Sequence, residues 1–158
     1  MVIFVSKSGR ASALSRLLAE AGFPCMCIHA GLNQKKRIDM YKKFKDQAAN
    51  ARVLVTTDLF GRGVDVERIN LSINYDFPTD TDAYFHRVGR AGRFGTKGVA
   101  ISFVTTEEDN TLLSSVQERF EVTIEELPED IAQGSTENPV EVTSMVEDDA
   151  AAATAAST

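Results

Sequence analysis

Short apolar runs alternate with segments of helical periodicity along most of the chain, and this alternation constrains the fold more than any other feature. The pattern predicts helices near 8–21, 34–46, 81–90 and 107–120. It predicts strands near 2–5, 23–29, 53–56, 71–74 and 99–104, with a final edge strand at 121–125. The strands are apolar throughout, which favours an α/β fold with a mostly parallel sheet and helices on both faces.

Composition changes sharply near the carboxyl end. All 17 Lys and Arg residues precede Glu121, whereas residues 132–158 contain only acidic charges and many alanines. We therefore predict a folded domain over 1–131 and a disordered acidic tail over 132–158. The folded part is nearly neutral, so a nucleic acid would have to bind a local basic surface.

Cysteine usage and hydropathy indicate the compartment. Cys25 and Cys27 are two residues apart on one predicted strand, a spacing that does not favour a disulfide, and we expect buried thiols in a reducing compartment. The chain has no basic leader and no apolar run of membrane-spanning length, so we predict neither a signal peptide nor a membrane span. Because a strand follows Met1 at once, we expect further sequence upstream.

Polar or small residues follow nearly every predicted strand. Ligands bind beyond the carboxyl ends of strands in open parallel sheets, so these segments are expected to converge on one functional edge. The segments are Ser6–Gly9, His29–Gly31, Thr57–Asp58 and Tyr75–Asp76, and we expect the arginine-rich segment 86–93 to join them as a fifth.

Three arginines at a spacing of three, Arg87, Arg90 and Arg93, lie in a window (83–106) without Asp or Glu. Guanidinium groups without a nearby carboxylate favour an external phosphate, which they bind through planar, paired donors. A second cluster, Gly61-Arg62-Gly63-Val64-Asp65, combines backbone freedom with a hydroxyl acceptor. The sequence Gly-x-x-x-x-Gly-Lys-Ser/Thr occurs nowhere in the chain, so these clusters resemble half of a nucleotide site.

The helix after Asn33 carries six basic residues, most of which fit a solvated face. Arg37 differs because it lies in the first turn, near Gln34 and the 29–31 loop, where exposed amides also attract phosphate. The sequence shows no aromatic stripe for base stacking, so we expect nucleic-acid contacts to the backbone only. His29 and His86 lack ligand partners at metal-binding spacing, and no metal site is predicted.

Several motifs resemble those of superfamily 2 helicases of the DEAD-box type. Residues 55–65 (Val-Thr-Thr-Asp-Leu-Phe-Gly-Arg-Gly-Val-Asp) resemble motif V, and 86–93 (His-Arg-Val-Gly-Arg-Ala-Gly-Arg) resemble motif VI. Residues 2–5 resemble motif IV, and Gln34-x-x-Arg37 resembles the Gln-x-x-Arg element. Details such as Leu59-Phe60-Gly61 and 118–122 resemble the mRNA splicing and export branch. The resemblance covers about residues 2–131.

The resemblance implies the second of two RecA-like domains of an ATP-dependent RNA helicase. Arg90 and Arg93 would be arginine fingers toward ATP and Mg²⁺ held mainly by an N-terminal RecA-like domain. Asp65 and Gly63 would contact the nucleotide. His86, Arg87 and Arg62 would form interdomain contacts. The residues implied to hold single-stranded or duplex RNA are Ser6, Lys7, Gly31, Gln34, Arg37 and Thr57.

The resemblance also implies a nuclear protein that works with mRNA export or splicing factors. The chain lacks the phosphate loop and the acidic magnesium motif, so alone it should not hydrolyse ATP. Two alternatives stay open at this point: a DNA helicase or remodeller domain of the same superfamily, and an ATP-independent protein-interaction module. Intact Arg90, Arg93 and Asp65 argue against a mere scaffold.

Overall fold

The sheet predicted from the apolar runs is present. The computed structural model describes residues 1–46, 51–58, 69–92 and 97–127. Within them, five parallel strands form one sheet in the order β2-β3-β1-β4-β5. The strands are β1 (Val2–Phe4), β2 (Cys25–Ile28), β3 (Val53–Thr56), β4 (Leu71–Asn74) and β5 (Val99–Ser102). The helices are α1 (Ser8–Glu20), α2 (Gln34–Lys45), α3 (Thr81–Val88) and α4 (Glu107–Phe120).

Helices cover both faces of the sheet because successive strand residues point to opposite sides. Val2 and Phe4 pack with Phe44 of α2, whereas Ile3 and Val5 pack with Ala11 of α1. A third apolar cluster joins α3 and α4 through Tyr84 and Val116. The predicted fold class, a mostly parallel sheet between two helical layers, is confirmed.

The edge strand predicted at 121–125 is wrong. Glu121 ends α4 in the left-handed region, with φ 52°, and the following chain turns back onto the helix. The Val122 amide donates to the Gln117 carbonyl, the Ile124 amide donates to the Gln117 side chain, and Ile124 packs in the α3–α4 cluster. The segment thus covers helices instead of extending the sheet beyond β5.

Cys25 and Cys27 are free thiols, as predicted, but both are half-buried and not fully buried as expected. Partial burial raises the pKa of the Cys27 thiol. Among the described helices, none combines the length and apolar character that crossing a bilayer requires.

Candidate functional site

Three neighbouring strands deliver the predicted RNA contacts to one edge of the sheet. Parallel β2, β3 and β1 lie side by side, so the residues that follow them share the carboxyl edge. Gly31 follows β2, Thr57 follows β3, and Ser6 and Lys7 follow β1. Arg37 lies in the first turns of α2, which starts just after the Gly31 loop. We call this set, together with Gln34, the polar rim.

Two polar atoms of the rim are buried without a partner. Neither the Thr57 hydroxyl nor Nε of Arg37 has a hydrogen-bond partner within the described part of the chain. Thr57 is only 7% exposed. Buried polar groups are nearly always hydrogen-bonded, and leaving one unpaired costs about 1–3 kcal/mol. Both atoms are therefore polar groups whose hydrogen-bonding capacity the described part of the chain leaves unused.

The loop after β2 is shaped by His29. The Gly31 amide donates to Nδ1 of His29 (3.1 Å), and the Ser12 hydroxyl lies 3.3 Å from Nε2. A side chain at position 31 would meet the imidazole ring at 3.1 Å, so glycine suits this close approach. Asn33 is the N-cap of α2, and its side chain accepts a hydrogen bond from the Lys36 amide (2.8 Å).

Ser6 and Lys7 occupy different positions in the rim. The Ser6 amide and hydroxyl both donate to Asp76 (2.8 Å each), so this side chain already has an internal acceptor. Lys7 is the N-cap of α1 and forms no side-chain cap bond. The first amides of a helix carry partial positive charge and have no intrahelical acceptor, so this end of α1 favours an anion.

Asp76 ties the start of α1 to the end of β4. Arg10 donates to both carboxylate oxygens of Asp76, through Nε at 2.9 Å and Nη2 at 2.5 Å. Partial burial by itself would raise the pKa of Asp76, but the hydrogen bonds from Arg10 and Ser6 together outweigh it and lower this pKa. Arg10 and Asp76 are separated by 66 residues, and no local pattern in the sequence connects them.

Arg87 lies inside the domain. Its guanidinium donates twice to Asp58 (2.5 and 2.8 Å), once to the Asp76 carbonyl (2.8 Å) and once to the Asn74 side chain (3.3 Å). It also lies 5.3 Å from the centre of the Phe4 ring. The residue is 2% exposed. These contacts fasten α3 to the ends of β3 and β4, and the interdomain role implied for Arg87 stays a prediction.

The rest of the arginine cluster is partly described. Arg90 follows α3, and its Nε donates to the His86 carbonyl at 3.0 Å. His86 is exposed on α3. The backbone at 91–92 packs closely on Gly98. A Cβ atom at position 98 would lie 2.3 Å from the Gly92 nitrogen, so only glycine fits at this position. The predicted site residues Arg62, Gly63, Asp65 and Arg93 lie outside the described residues.

Sequence reasoning missed the partners that hold these side chains. Asn74 is 1% exposed, and its amide donates to Ser102 while its oxygen accepts from Arg87. A polar residue at the end of an apolar strand was the available signal. Ser72 is a second example, because its hydroxyl donates to the Arg87 carbonyl within the sheet–α3 contact.

Comparison with known proteins places this arrangement in a family. Residues 1–95 match the family described as "Helicase conserved C-terminal domain". The chain is 57% identical over 138 residues to "ATP-dependent RNA helicase uap56" of Schizosaccharomyces pombe, an alignment that covers 87% of this chain and 31% of the relative. The chain thus spans about a third of the length of the curated relatives it matches.

Solved structures agree with the sequence matches. The "C-terminal domain of the DEAD-box protein Dbp5" is 34% identical, with a TM-score of 0.72, and the match covers 82% of this chain and 74% of that one. "S. cerevisiae Dbp5 bound to RNA and ADP BeF3" is also 34% identical, with a TM-score of 0.75 and coverage of 84% and 35%. The chain therefore belongs to the helicase C-terminal domain family, within the DEAD-box group.

Proposed function

We propose that this chain is the C-terminal motor domain of an ATP-dependent RNA helicase, in which the polar rim holds the RNA backbone. The observation that carries the proposal is the pair of buried, unpartnered donors at the rim, the Thr57 hydroxyl and Nε of Arg37. A phosphodiester offers hydrogen-bond acceptors and a negative charge, which suit a hydroxyl donor and a guanidinium donor. The uncapped start of α1 beside Lys7 supports the same ligand.

The proposal gives motif VI a role at a nucleotide held elsewhere. Arg90 lies just past α3, on a segment that Arg87 and the close packing at Gly98 hold against the sheet. Arg90 and Arg93 act as arginine fingers, and Asp65 and Gly63 contact the nucleotide. His86 and Arg62 join the interdomain contacts. ATP and Mg²⁺ are held mainly by a first RecA-like domain, and the described residues contain no group of three or more metal-binding side chains.

The relatives support RNA rather than DNA as the nucleic acid. The relative from Schizosaccharomyces pombe is named an RNA helicase, and the Dbp5 structure contains RNA with ADP and BeF3. mRNA export and splicing factors as partners, and a nuclear location, complete the proposal by resemblance to the same branch. An interaction module without ATP chemistry would not explain unpartnered donors at the rim together with the arginines of motif VI.

ATP turnover tests the proposal. The first domain of the Schizosaccharomyces pombe relative is fused ahead of Met1, and RNA-stimulated ATPase activity is measured for the wild type and for Arg93→Ala. Loss of an arginine finger is expected to lower turnover by about a thousandfold, because the charge that develops on the transferred phosphate loses its partner. Lys43→Ala is the matched control, since Lys43 pairs with Asp39 on the exposed face of α2. Equal turnover in Arg93→Ala and in this control would overturn the finger assignment.

A further inference from the structure

A cavity of about 630 Å³ opens at the carboxyl ends of β1, β4 and β5, beside the polar rim. Its lining includes two exposed aromatic residues, Tyr75 and Phe103, the buried Phe77, and two basic residues, Lys7 and Arg10. Tyr75 immediately follows β4 and Phe103 immediately follows β5. None of the roles discussed above uses these two rings.

Both rings are open to solvent. Tyr75 is 42% exposed and Phe103 is 49% exposed. Their centres lie 6.0 Å apart with the ring planes at 84°, an edge-to-face pair. The Arg10 guanidinium lies 5.8 Å from the centre of the Tyr75 ring, so a cation borders the aromatic pair. Exposed aromatic rings beside cations are the usual platform on which proteins stack nucleobases.

Two cations, Lys7 and Arg10, and two carboxylates, Asp76 and Asp109, line the cavity. Arg10 is neutralised by Asp76, and Asp109 accepts hydrogen bonds from the Thr105 and Thr106 amides that start α4. The Lys7 ammonium has no ion-pair or hydrogen-bond partner among the described residues, so its charge is available. An unpaired lysine ammonium beside two exposed rings is complementary to a nucleotide, whose phosphate lies next to its base.

The order of the strands leads from the rim to these rings. The rim crosses β2, β3 and β1, and the next strands in the same sheet are β4 and β5. Adjacent strands lie about 5 Å apart, so the rings are one and two strand spacings beyond the end of β1. A strand of RNA that continues past Lys7 along this edge therefore reaches Tyr75 first and Phe103 next.

We propose that single-stranded RNA leaving the polar rim at Lys7 stacks successive bases on Tyr75 and Phe103. The proposal rests on the proposed function and extends the RNA footprint by the width of two strands. Stacking on an aromatic face is tolerant of base identity, so the contact adds affinity for longer RNA without adding sequence specificity. The cavity thereby makes binding dependent on the length of the single strand.

The test asks whether the gain in RNA affinity with oligonucleotide length depends on the two aromatic rings. The 158-residue chain is titrated at low ionic strength into labelled oligouridines of about four and about eight nucleotides, extended at either the 5′ or the 3′ end. Binding is measured by fluorescence anisotropy for the wild type, Tyr75→Leu, Phe103→Leu and Tyr75→Phe. Phe23→Leu is the matched control, because Phe23 is 56% exposed but precedes β2 at the opposite edge of the sheet.

We expect extension at one end to tighten wild-type binding by at least about fivefold. Tyr75→Leu and Phe103→Leu remove that gain and leave the short oligonucleotide unaffected, whereas Tyr75→Phe and Phe23→Leu keep it. Abasic nucleotides in the extension also remove the gain, because no base is left to stack.

The contrary outcomes separate this proposal from the function on which it rests. If the gain with length survives both leucine variants while Arg37→Met weakens both oligonucleotides, the base platform is overturned and the rim stands. An equal loss on both lengths in the leucine variants also overturns it, because that loss would reflect the fold. If Arg37→Met weakens neither oligonucleotide, the rim itself is wrong. Displacement of an aromatic peptide, with no effect of RNA length, would assign the cavity to a protein partner.

Discussion

Two arginines near the same edge of the sheet are used in opposite ways. Arg87 is buried and makes four hydrogen bonds to Asp58, Asn74 and the Asp76 carbonyl. Arg37 is half-buried, and its Nε has no partner among the described residues. We call the Arg87 contacts, which join α3 to the ends of β3 and β4, the locked side, and the part of the polar rim around Arg37 and Thr57 the open side.

The difference shows that partners, and not charge, distinguish a structural arginine from one that awaits a ligand. In the sequence, Arg87 stands in a window without acids and Arg37 stands among lysines, so Arg87 looks the more available of the two. The fold reverses this because Asp58, which is 29 residues away in the chain, pairs with Arg87. An arginine whose donors are all used stiffens a site, whereas one with an unused donor can bind.

The largest expected effect is on the locked side. Arg87→Met should lower the free energy of unfolding by about 3 kcal/mol, because it leaves the buried Asn74 oxygen and the Asp76 carbonyl without their donor. Urea unfolding followed by circular dichroism measures the change. Arg37→Met, the matched variant on the open side, should not lower stability, because it removes a buried donor that has no partner among the described residues. Equal losses in the two variants would erase the distinction between the sides.

Removal of a helix cap is expected to have an effect of intermediate size. Asp80 caps α3 by accepting the Ala83 amide, and Asn33 caps α2 by accepting the Lys36 amide. Replacing either residue with alanine should cost about 1 kcal/mol of stability. Only Asn33→Ala should also weaken RNA binding, because α2 carries Arg37 whereas α3 carries the locked Arg87. If Asp80→Ala weakened RNA binding as much as Asn33→Ala does, the division into a locked side and an open side would be contradicted.

The smallest expected effect is the acid response of Asp76. Its folded pKa lies below the unfolded value of about 3.9, so its contribution to stability is present above that value and is lost as the pH falls toward the folded pKa. The urea midpoint of the wild type should therefore fall more steeply below about pH 4 than that of Asp76→Asn. Parallel pH profiles would show that the Arg10 and Ser6 contacts contribute nothing to folding.

Much of the fold follows from the sequence because its strands are mostly apolar and its helices have clear periodicity. All four predicted helices and the first five predicted strands are present within a few residues of the expected bounds. The sixth strand is wrong because Glu121 takes a left-handed conformation, which a local apolar pattern does not reveal.

Less of the site could be predicted, because its key contacts join residues far apart in the chain. The sequence identified the segments that meet at the rim but not the Arg10–Asp76 pair or the acceptors of Arg87. It also showed no aromatic stripe, yet β4 and β5 bring Tyr75 and Phe103 within 6.0 Å at the carboxyl edge. Hydrophobic periodicity describes one helix or strand at a time, whereas Tyr75 and Phe103 follow two different strands.

The salt dependence of RNA binding tests the central claim most directly, with Arg37→Met compared against Lys43→Met. Lys43 lies on the same helix and pairs with Asp39 at 2.9 Å, so the two variants remove the same charge from different environments. We predict that Arg37→Met weakens binding of single-stranded RNA by about tenfold and reduces the slope of log K against log salt by about 0.7, the value for one phosphate contact. Lys43→Met should leave both unchanged. If both variants keep the wild-type affinity and slope, Arg37 belongs to the solvated face and the open side of the edge does not hold the RNA backbone.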